Sequence, residues 1–407
     1  MKVLVVGSGG REHALVWKLS QSPLLDELHC APGNPGMAAL GHCHPVRAED
    51  AEGLLGLARF LEIDLVVVGP EVPLVAGLAD DLRHAGVPVF GPGRDAAMIE
   101  GSKSYAKEVM AAAGVPTTPT LTAATPPCVI KADGLAAGKG AFVCRTQAEV
   151  EAAVERATAL GGPLVIEQLI EAQEVSVFAL SDGTNVLGLP AAQDYKRVGD
   201  GDAGPNTGGM GCYSPFPGVS ERVDELVSAI HQPVVAELAR RGTPFIGVLY
   251  AGVFMTDDGP LVFEFNCRFG DPETQVILPR IDDDLLPALA AAAAGDLGST
   301  SVAEAEHGAL TVVLAGRDYP ERSDAGTPIN GVAEAEEAGA IVFHAGTALR
   351  HDQLVTNGGR ILNVTATGET IAEARERAYA AVDHIDFDGC HYRTDIALGT
   401  AEDARVG

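Results

Sequence analysis

The chain has 407 residues, 46% of them hydrophobic, which is too long for one ordinary core, so about two or three domains are expected. Its formal net charge of −28 argues on electrostatic grounds against a nucleic-acid partner or an anionic membrane, but not against an anionic small molecule. No apolar run approaches about 18 residues and the seven cysteines contain no CxxC pair, so we expect a cytoplasmic protein without a membrane span, a secretory signal or a disulfide framework.

The first hundred residues alternate strand and helix patterns. Strand-length apolar runs occur at residues 2–6, near Leu28 and Val46, and at residues 64–69 and 87–90, with helices between them. Such a βαβ series is typical of a parallel sheet with helices on both faces, because the crossovers are right-handed. The sequence therefore predicts a doubly wound α/β sheet in this region.

The first turn of this sheet matches a dinucleotide-binding fingerprint only in part. Glu12 stands where the fingerprint needs its third glycine, which weakens the interpretation as a nicotinamide-dependent oxidoreductase. Gly9 and Gly10 nevertheless place backbone amides at a helix N-terminus, with Arg11 beside them. This turn can therefore hold a phosphate or another anion.

The pattern changes after residue 100. A helix is predicted from Ser102, its N-cap, to Ala113, followed by a small β-rich unit with a helix at residues 147–159. Residues 193–217 show almost no periodicity, and a loop of that length is usually functional or disordered.

The second half of the chain mixes strands and helices. Helices are predicted at residues 219–241, 285–294 and 371–384, and a hairpin is predicted around residues 257–259. Asn357 and Gly358 give a second hairpin signal. The sequence as a whole therefore predicts a multidomain protein with α/β and α+β parts.

Lysine is rare in this chain and unevenly placed. Five of the seven lysines lie between positions 103 and 196. Two of them, Lys131 and Lys139, bracket the glycine-rich segment KADGLAAGKG, which predicts a flexible hairpin of exposed amides. Lysines act as point charges toward phosphates, so this hairpin is predicted to cover a polyphosphate chain. A mobile surface hairpin is the alternative.

Residues 261–273, LVFEFNCRFGDPE, carry the densest chemistry. The period of two of a strand places Leu261, Phe263, Phe265, Cys267 and Phe269 on one face and Glu264, Asn266 and Arg268 on the other. Asp271, followed by a proline, is expected to cap a helix. Carboxylate and amide oxygens suit Mg²⁺, which shares its other positions with water and phosphates. A solvated edge strand remains the alternative.

These parts together predict a phosphoryl-transfer site. Glu167 to Leu169 is expected to offer backbone groups to a purine and Glu174 a carboxylate to a ribose. Such catalysis requires positioning and charge neutralisation, and no protein nucleophile.

The sequence resembles the phosphoribosylamine–glycine ligase family, also called the glycinamide ribonucleotide synthetases, of the ATP-grasp superfamily. The likeness covers nearly the whole chain, in the blocks VGSGGREHAL, APGN, VGPEVPL, EGSK, KADGLAAGKG, QDYKRVGD, GPNTGGMG, EFNCRFGDPETQ, FHAGT and TNGGR. These blocks are long and ungapped, so the likeness is much more specific than any one glycine motif.

The resemblance implies a fold and a reaction. It implies a Rossmann-like domain at residues 1–100, an ATP-grasp domain at 101–305 with a small lid lobe at about 118–190, and a C-terminal α+β domain at 306–407. It implies ATP-dependent joining of glycine to 5-phosphoribosylamine through an acyl phosphate, in purine biosynthesis. ATP would be the co-substrate, Mg²⁺ or Mn²⁺ the metal, and the enzyme a monomer or a weak homodimer without nucleic-acid or membrane partners.

The resemblance also implies roles for individual residues. The metal would be held by Glu264 and Asn266. Arg268 would neutralise the acyl phosphate and Asp271 would hold the amine. Nucleotide contacts would come from Lys103, Lys131, Gly134, Gly138, Lys139, Gly140, Glu167, Leu169 and Glu174. Phosphoribosylamine and glycine contacts would come from Gly9, Gly10, Arg11, Glu71, Asp194 and Arg360.

Two departures from the family pattern matter. The connections before residues 129–134 and before residues 166–167 are short, so a smaller lid is expected. Residues 249–256 contain no carboxylate, so the metal would depend more on phosphate and water. Three alternatives stay open: another ATP-grasp ligase of purine ribonucleotides, a nicotinamide-dependent oxidoreductase, and a non-catalytic nucleotide-binding module.

Overall fold

The computed structural model describes residues 1–136 and 140–403. In this part of the chain no helix is long and apolar enough to cross a lipid bilayer. The N-terminal region is a parallel sheet in the order β3-β2-β1-β4-β5. Its strands are β1 (Lys2–Gly7), β2 (Glu27–Pro32), β3 (His42–Cys43), β4 (Leu65–Val68) and β5 (Val89–Phe90), and its helices are α1 (Gly10–Leu19), α2 (Ala51–Phe60), α3 (Glu71–Ala76), α4 (Leu78–His84) and α5 (Arg94–Gly101).

This sheet confirms the predicted doubly wound region. Its inner strands are continuous apolar runs, since helices cover both faces of a parallel sheet. The strand predicted near Val46 is wrong: β3 ends before Pro45, which has no amide hydrogen, and the Val46 amide bonds locally to the His44 carbonyl. The carboxyl ends of β1 and β4 lie side by side at the point where the strand order reverses, which is where open α/β sheets bind ligands.

A small lid sheet follows helix α6 (Lys103–Ala113). It is antiparallel, in the order β7-β6-β8, and α7 (Gln147–Ala159) packs on it. Its strands are β6 (Cys128–Ala132), β7 (Ala141–Cys144) and β8 (Leu164–Gln168). Residues 173–190, which the sequence prediction placed with the lid, run instead in the large sheet, since the residues of β9 (Gln173–Asp182) are buried from Val175 onward.

The large sheet is antiparallel and continuous from the central to the C-terminal region, in the order β15-β14-β9-β10-β13-β16-β21-β18. Besides β9, its strands are β10 (Val186–Asp194), β13 (Gly211–Ser214), β14 (Ile246–Thr256), β15 (Gly259–Asn266), β16 (Gly308–Ala315), β18 (Ile341–His344) and β21 (Arg360–Gly368). It is flanked by α8 (Val223–Leu226), α9 (Gln232–Arg240), α10 (Thr274–Ile277), α11 (Leu285–Ala294), α12 (Val332–Glu337), α13 (Ile371–Val382) and α14 (Leu398–Asp403).

Two small sheets complete the fold. One pairs β11 (Arg197–Gly199) with β12 (Ala203–Asn206), and the other has the order β17-β20-β19, with β17 (Asp324–Pro328), β19 (Thr347–Arg350) and β20 (Gln353–Gly358). The segment at 193–217 is therefore not unstructured, since it contains β11, β12 and β13, each too short to show a periodic pattern.

The hairpin predicted at Asn357–Gly358 is also wrong. β20 and β21 follow each other but lie in different sheets. The hairpin turn is at His351 and Asp352, both with positive φ, between β19 and β20. Two consecutive residues of positive φ match the right-handed twist of a two-residue hairpin, and Asp and His accept that conformation more readily than most residues.

Candidate active site

A cavity of about 430 Å³ lies between the lid sheet, the N-terminus of α6 and the end of β15. Most residues predicted for the site line it together: Arg11, Glu71, Lys103, Lys131, Gly134, Gly140, Glu167, Leu169, Glu174, Asp194, Glu264, Asn266, Arg268, Asp271 and Arg360. Gly9 lines a second cavity and Gly10 lines neither. Gly138 and Lys139 lie outside the described residues.

β15 brings the predicted metal ligands to the cavity, although the predicted alternation fails along part of the strand. A bulge lies where β15 pairs with Gly252 and Val253 of β14, so Val262 is buried while Leu261 and Phe263 are only half buried. Phe263 therefore lines the cavity. After the bulge the prediction holds, since Phe265, Cys267 and Phe269 are buried.

The chain offers two oxygen ligands for a cation at this position. Burial alone would raise the pKa of Glu264, but the charges of Lys196, Lys131 and Lys103 outweigh it, so the pKa is lowered and the carboxylate is ionised. In residues 1–136 and 140–403 no group of three or more His, Cys, Asp or Glu side chains is arranged to hold a metal ion. The pair with Asn266 fits Mg²⁺ or Mn²⁺ only when phosphate and water fill the remaining positions.

Lys196 lies in the acidic wall of the cavity. Its Nζ is 3.2 Å from Glu174 Oε2, 3.8 Å from Glu264 Oε1 and 3.9 Å from Asp194 Oδ1, and it lies 4.6 Å from the centroid of the Phe263 ring. Burial raises the pKa of Asp194 to about 7 despite Lys196. Lys196 is one of the five lysines clustered between positions 103 and 196, but it was not predicted as a site residue.

A pair of lysines surrounds Glu167. Lys107 Nζ and Lys131 Nζ each lie 2.7 Å from a carboxylate oxygen of Glu167, whose residue is 3% exposed. Lys131 Nζ also donates to the Phe263 carbonyl. Lys107 was missed as a site residue, although helical spacing places it one turn after Lys103 on the face of α6 that looks into the cavity.

The root of the glycine-rich hairpin is tied to α6. Asp133 Oδ1 accepts from the Lys103 amide at 2.6 Å, and the Ser104 hydroxyl donates to the same carboxylate. Lys103 Nζ donates to the Gly134 carbonyl at 2.9 Å. Burial lowers the pKa of Lys103, and the nearby charge of Glu264 only partly opposes this. Asp133 was missed because its partners lie about thirty residues away in sequence.

An ion network connects the end of β15 to the N-terminal sheet. Arg268 Nε is 3.2 Å from Glu71 Oε2 and its Nη2 is 3.1 Å from Glu100 Oε1. Arg11 Nη1 is 4.0 Å from Glu71 and donates to the Phe269 carbonyl. Burial would raise the pKa of Glu71, but the two arginines outweigh it and lower the pKa to about 2. The charges of these side chains are thus paired with one another in the structure.

The turn after β1 is filled by the side chain that breaks the dinucleotide fingerprint. Glu12 accepts from the Gly9 amide at 2.6 Å and from Arg11 Nε at 2.5 Å. A Cβ on Gly69 or Gly7 would collide with Glu12. A carboxylate therefore occupies the space at the turn where a dinucleotide phosphate would bind.

Asp271 is not the helix cap that the sequence suggested. α10 begins at Thr274 with Glu273 as its N-cap, because residues 271–273 form a turn. The Asp271 carboxylate instead accepts from Gln275 Nε2 at 2.8 Å and lies 3.3 Å from Arg360 Nη2. Asp271 and Arg360 line both the first cavity and a neighbouring one of about 710 Å³.

The comparisons with known proteins agree along the chain. Family models described as the N domain, the ATP-grasp (A) domain and the C domain of phosphoribosylglycinamide synthetase match residues 1–100, 101–274 and 309–399. The chain is 50% identical to the phosphoribosylamine–glycine ligase of Streptomyces coelicolor, over 98% of this chain and 100% of that protein. It is 48% identical to that of Agrobacterium fabrum, over 97% and 98%.

Solved structures give the same result for the fold. The crystal structure of phosphoribosylamine–glycine ligase from Thermotoga maritima superposes with a TM-score of 0.84 at 33% identity, covering 98% of this chain and 100% of that one. A biotin carboxylase domain from Hydrogenobacter thermophilus, in complex with MgADP, reaches a TM-score of 0.71 at 19% identity over 96% of this chain and 91% of its own. At that identity only the fold is shared.

Proposed function

The chain belongs to the phosphoribosylglycinamide synthetase family and is an ATP-dependent ligase of purine biosynthesis that joins glycine to 5-phosphoribosylamine, and we propose which of its residues carry each part of the reaction. In the proposed course the glycine carboxylate takes the γ-phosphoryl group of ATP, which releases ADP and leaves an acyl phosphate. The sugar amine then attacks the acyl carbon, the carbon–oxygen bond to phosphate breaks, and phosphate leaves.

The first cavity binds the nucleotide in this proposal. The cluster of Lys103, Lys107 and Lys131 provides point charges for the phosphates and base, and Gly134 and Gly140 line the same cavity. Glu174, whose side chain is 42% exposed, retains a free face for the ribose hydroxyls. The support is geometric: these residues line a single cavity.

Glu264 and Asn266 are the proposed metal ligands. A bound Mg²⁺ or Mn²⁺ would neutralise charge on the β and γ phosphates. The chain contributes an ionised carboxylate and an amide oxygen two residues apart on β15, and the charges of Lys196, Lys131 and Lys103 lower the pKa of that carboxylate. The family uses ATP and a metal ion, and the choice of metal and ligands is our proposal.

Substrate roles follow from position. In this proposal Asp271 orients the amine and Asp194, in the first cavity, contacts glycine. Gly9 and Arg360 hold the phosphoribosyl end in the second cavity. Arg268 remains the proposed counter-charge for the acyl phosphate, while Arg11 and Glu71 hold it in place. A net charge of −28 supports small-molecule substrates and no nucleic-acid or anionic-membrane partner. We further propose a monomer or weak homodimer in the cytoplasm.

One observation carries the residue assignment: the Glu264–Asn266 pair and the lysine cluster face the same cavity. The test is ADP release with ATP, glycine and phosphoribosylamine. We expect release to require both co-substrates, and Glu264→Ala to abolish it without a change in unfolding temperature. The matched control is Asp258→Ala, in the exposed turn between β14 and β15. Full activity of Glu264→Ala would remove this residue from the site.

A further inference from the structure

The two cavities are separated by one ion pair. Within the described residues, Asp271 and Arg360 are the only two that line both cavities. The first cavity holds the lysines and Glu264, and the second is lined by Gly9, by residues 32–35 and by residues 345–349. The two cavities therefore adjoin at this pair.

Arg360 is held in place by two separate segments of the chain, at Gly208 and at Asp271. Its Nη1 donates to the carbonyls of Gly208 and Asp271, both at 2.6 Å, and its Nη2 lies 3.3 Å from Asp271 Oδ2. Burial would lower the pKa of Arg360, but the charge of Asp271 outweighs it, so the guanidinium stays charged. A side chain tied to two carbonyls and a carboxylate has few ways to move without losing charged hydrogen bonds.

The neighbouring glycines allow this arrangement. A Cβ on Gly208 would come within 3.1 Å of Arg360 Cζ, and a Cβ on Gly209, which has φ of +112°, would collide with the Pro272 ring. On the other side of the pair, Gly9 approaches Asp271 closely enough that a Cβ there would lie 3.5 Å from Oδ2. The backbone at Gly208 and Gly209 is thus fitted tightly, while a Cβ on Gly9 would make only ordinary van der Waals contact with Asp271.

The chemistry of the reaction makes such a partition useful. An acyl phosphate is attacked by water as well as by an amine: water adds to the acyl carbon, the carbon–oxygen bond to phosphate breaks, and glycine and phosphate are released. Exclusion of water is a general means of suppressing that loss. The residues that the two cavities share are the place where a barrier between them would lie.

We propose that the Asp271–Arg360 pair is a gate that keeps water in the second cavity away from the activated carboxylate until the amine substrate displaces it. This rests on the proposed function. Arg360 then selects the amine over water, in addition to any contact it makes with the sugar phosphate. Loss of Arg360 uncouples ATP cleavage from product formation.

The test measures ADP and the amide product in the same reaction. Wild-type enzyme is expected to give one ADP per product and little ADP with ATP and glycine alone. Arg360→Gln is expected to raise glycine-dependent ADP release without the amine by about tenfold, the equilibrium shift that corresponds to ~1.4 kcal/mol. It is also expected to give more than one ADP per product at saturating amine. Arg360→Lys, which keeps the charge with fewer donors, is expected to be intermediate and guards against a folding failure of the glutamine variant.

The control is Arg280→Gln. Arg280 is more deeply buried than Arg360 and donates to the carbonyls of His307 and Ala305, but it lines neither cavity, so Arg280→Gln should keep one ADP per product. If both Arg360 variants keep one ADP per product and only raise the KM for the amine, the gate is refuted and Arg360 is a simple binding residue. If wild-type enzyme makes no product, the proposed function itself fails, and this is seen before any variant is tested.

Discussion

Replacing Arg268 by glutamine tests whether the network at the end of β15 holds the site together. Arg268 bridges Glu71 and Glu100, whose side chains are 19% and 9% exposed. Burial raises the pKa of Glu100 even with Arg268 beside it, so removal of the arginine leaves a carboxylate with little solvation and no counter-charge. Breaking a buried pair in this way costs about 3–5 kcal/mol. That is a large part of the ~5–15 kcal/mol stability of a typical domain.

The assay is urea unfolding of wild type, Arg268→Gln, Glu100→Gln and the double variant. We expect the double variant to recover about 1–3 kcal/mol relative to additivity, because it leaves no unpaired charge. The loss in Arg268→Gln should shrink in acid, where Glu100 protonates. Arg222→Gln, in an exposed pair with Glu225, is the control and should cost little stability, because solvent screens exposed ion pairs. Equal losses for Arg268→Gln and Arg222→Gln would refute this account of the network.

Two further predictions concern the lid and acid stability. Asp133→Ala should weaken the binding of an ATP analogue about tenfold in calorimetry, because it frees the root of the hairpin from α6. The control is Asp50→Ala, which removes a carboxylate that accepts from an amide of α2 and should leave ATP-analogue binding unchanged. Burial lowers the pKa of His13 to about 3, so the folded state stays neutral while the unfolded chain takes up a proton below about pH 6.5. The free energy of unfolding should therefore fall as pH drops, and His13→Gln should reduce its slope between pH 6 and 5 by ~1.4 kcal/mol per pH unit. Normal binding of the ATP analogue by Asp133→Ala would contradict the first prediction. An unchanged pH slope in His13→Gln would contradict the second.

Local sequence patterns predicted the elements whose apolar pattern extends over many residues. The apolar runs of β1 and β4 and the capped helix α6 follow from periodicity and capping, which depend on near neighbours in sequence. The period of two placed Glu264 and Asn266 on one strand, which lines the cavity, and the resemblance of motifs then supplied the family. The domain bounds and the residue roles stay predictions.

Long-range contacts could not be read from the sequence. The bulge that turns Phe263 into the cavity depends on the register with β14, and the β19–β20 turn at His351 carries no glycine to mark it. Asp133, Lys107 and Glu100 acquire their roles from partners distant in sequence. Asp271 resembled a helix cap locally, and only the fold brought Arg360 to it.

The most direct test of the account is the position of the cation in a complex with glycine and a non-hydrolysable ATP analogue, located by anomalous diffraction from Mn²⁺. We predict that the Mn²⁺ ion lies within about 2.0–2.3 Å of a Glu264 carboxylate oxygen and of Asn266 Oδ1, with phosphate oxygens completing its coordination shell. An ion bound elsewhere, or both side chains turned away from it, would contradict the central claim that β15 holds the metal nucleotide.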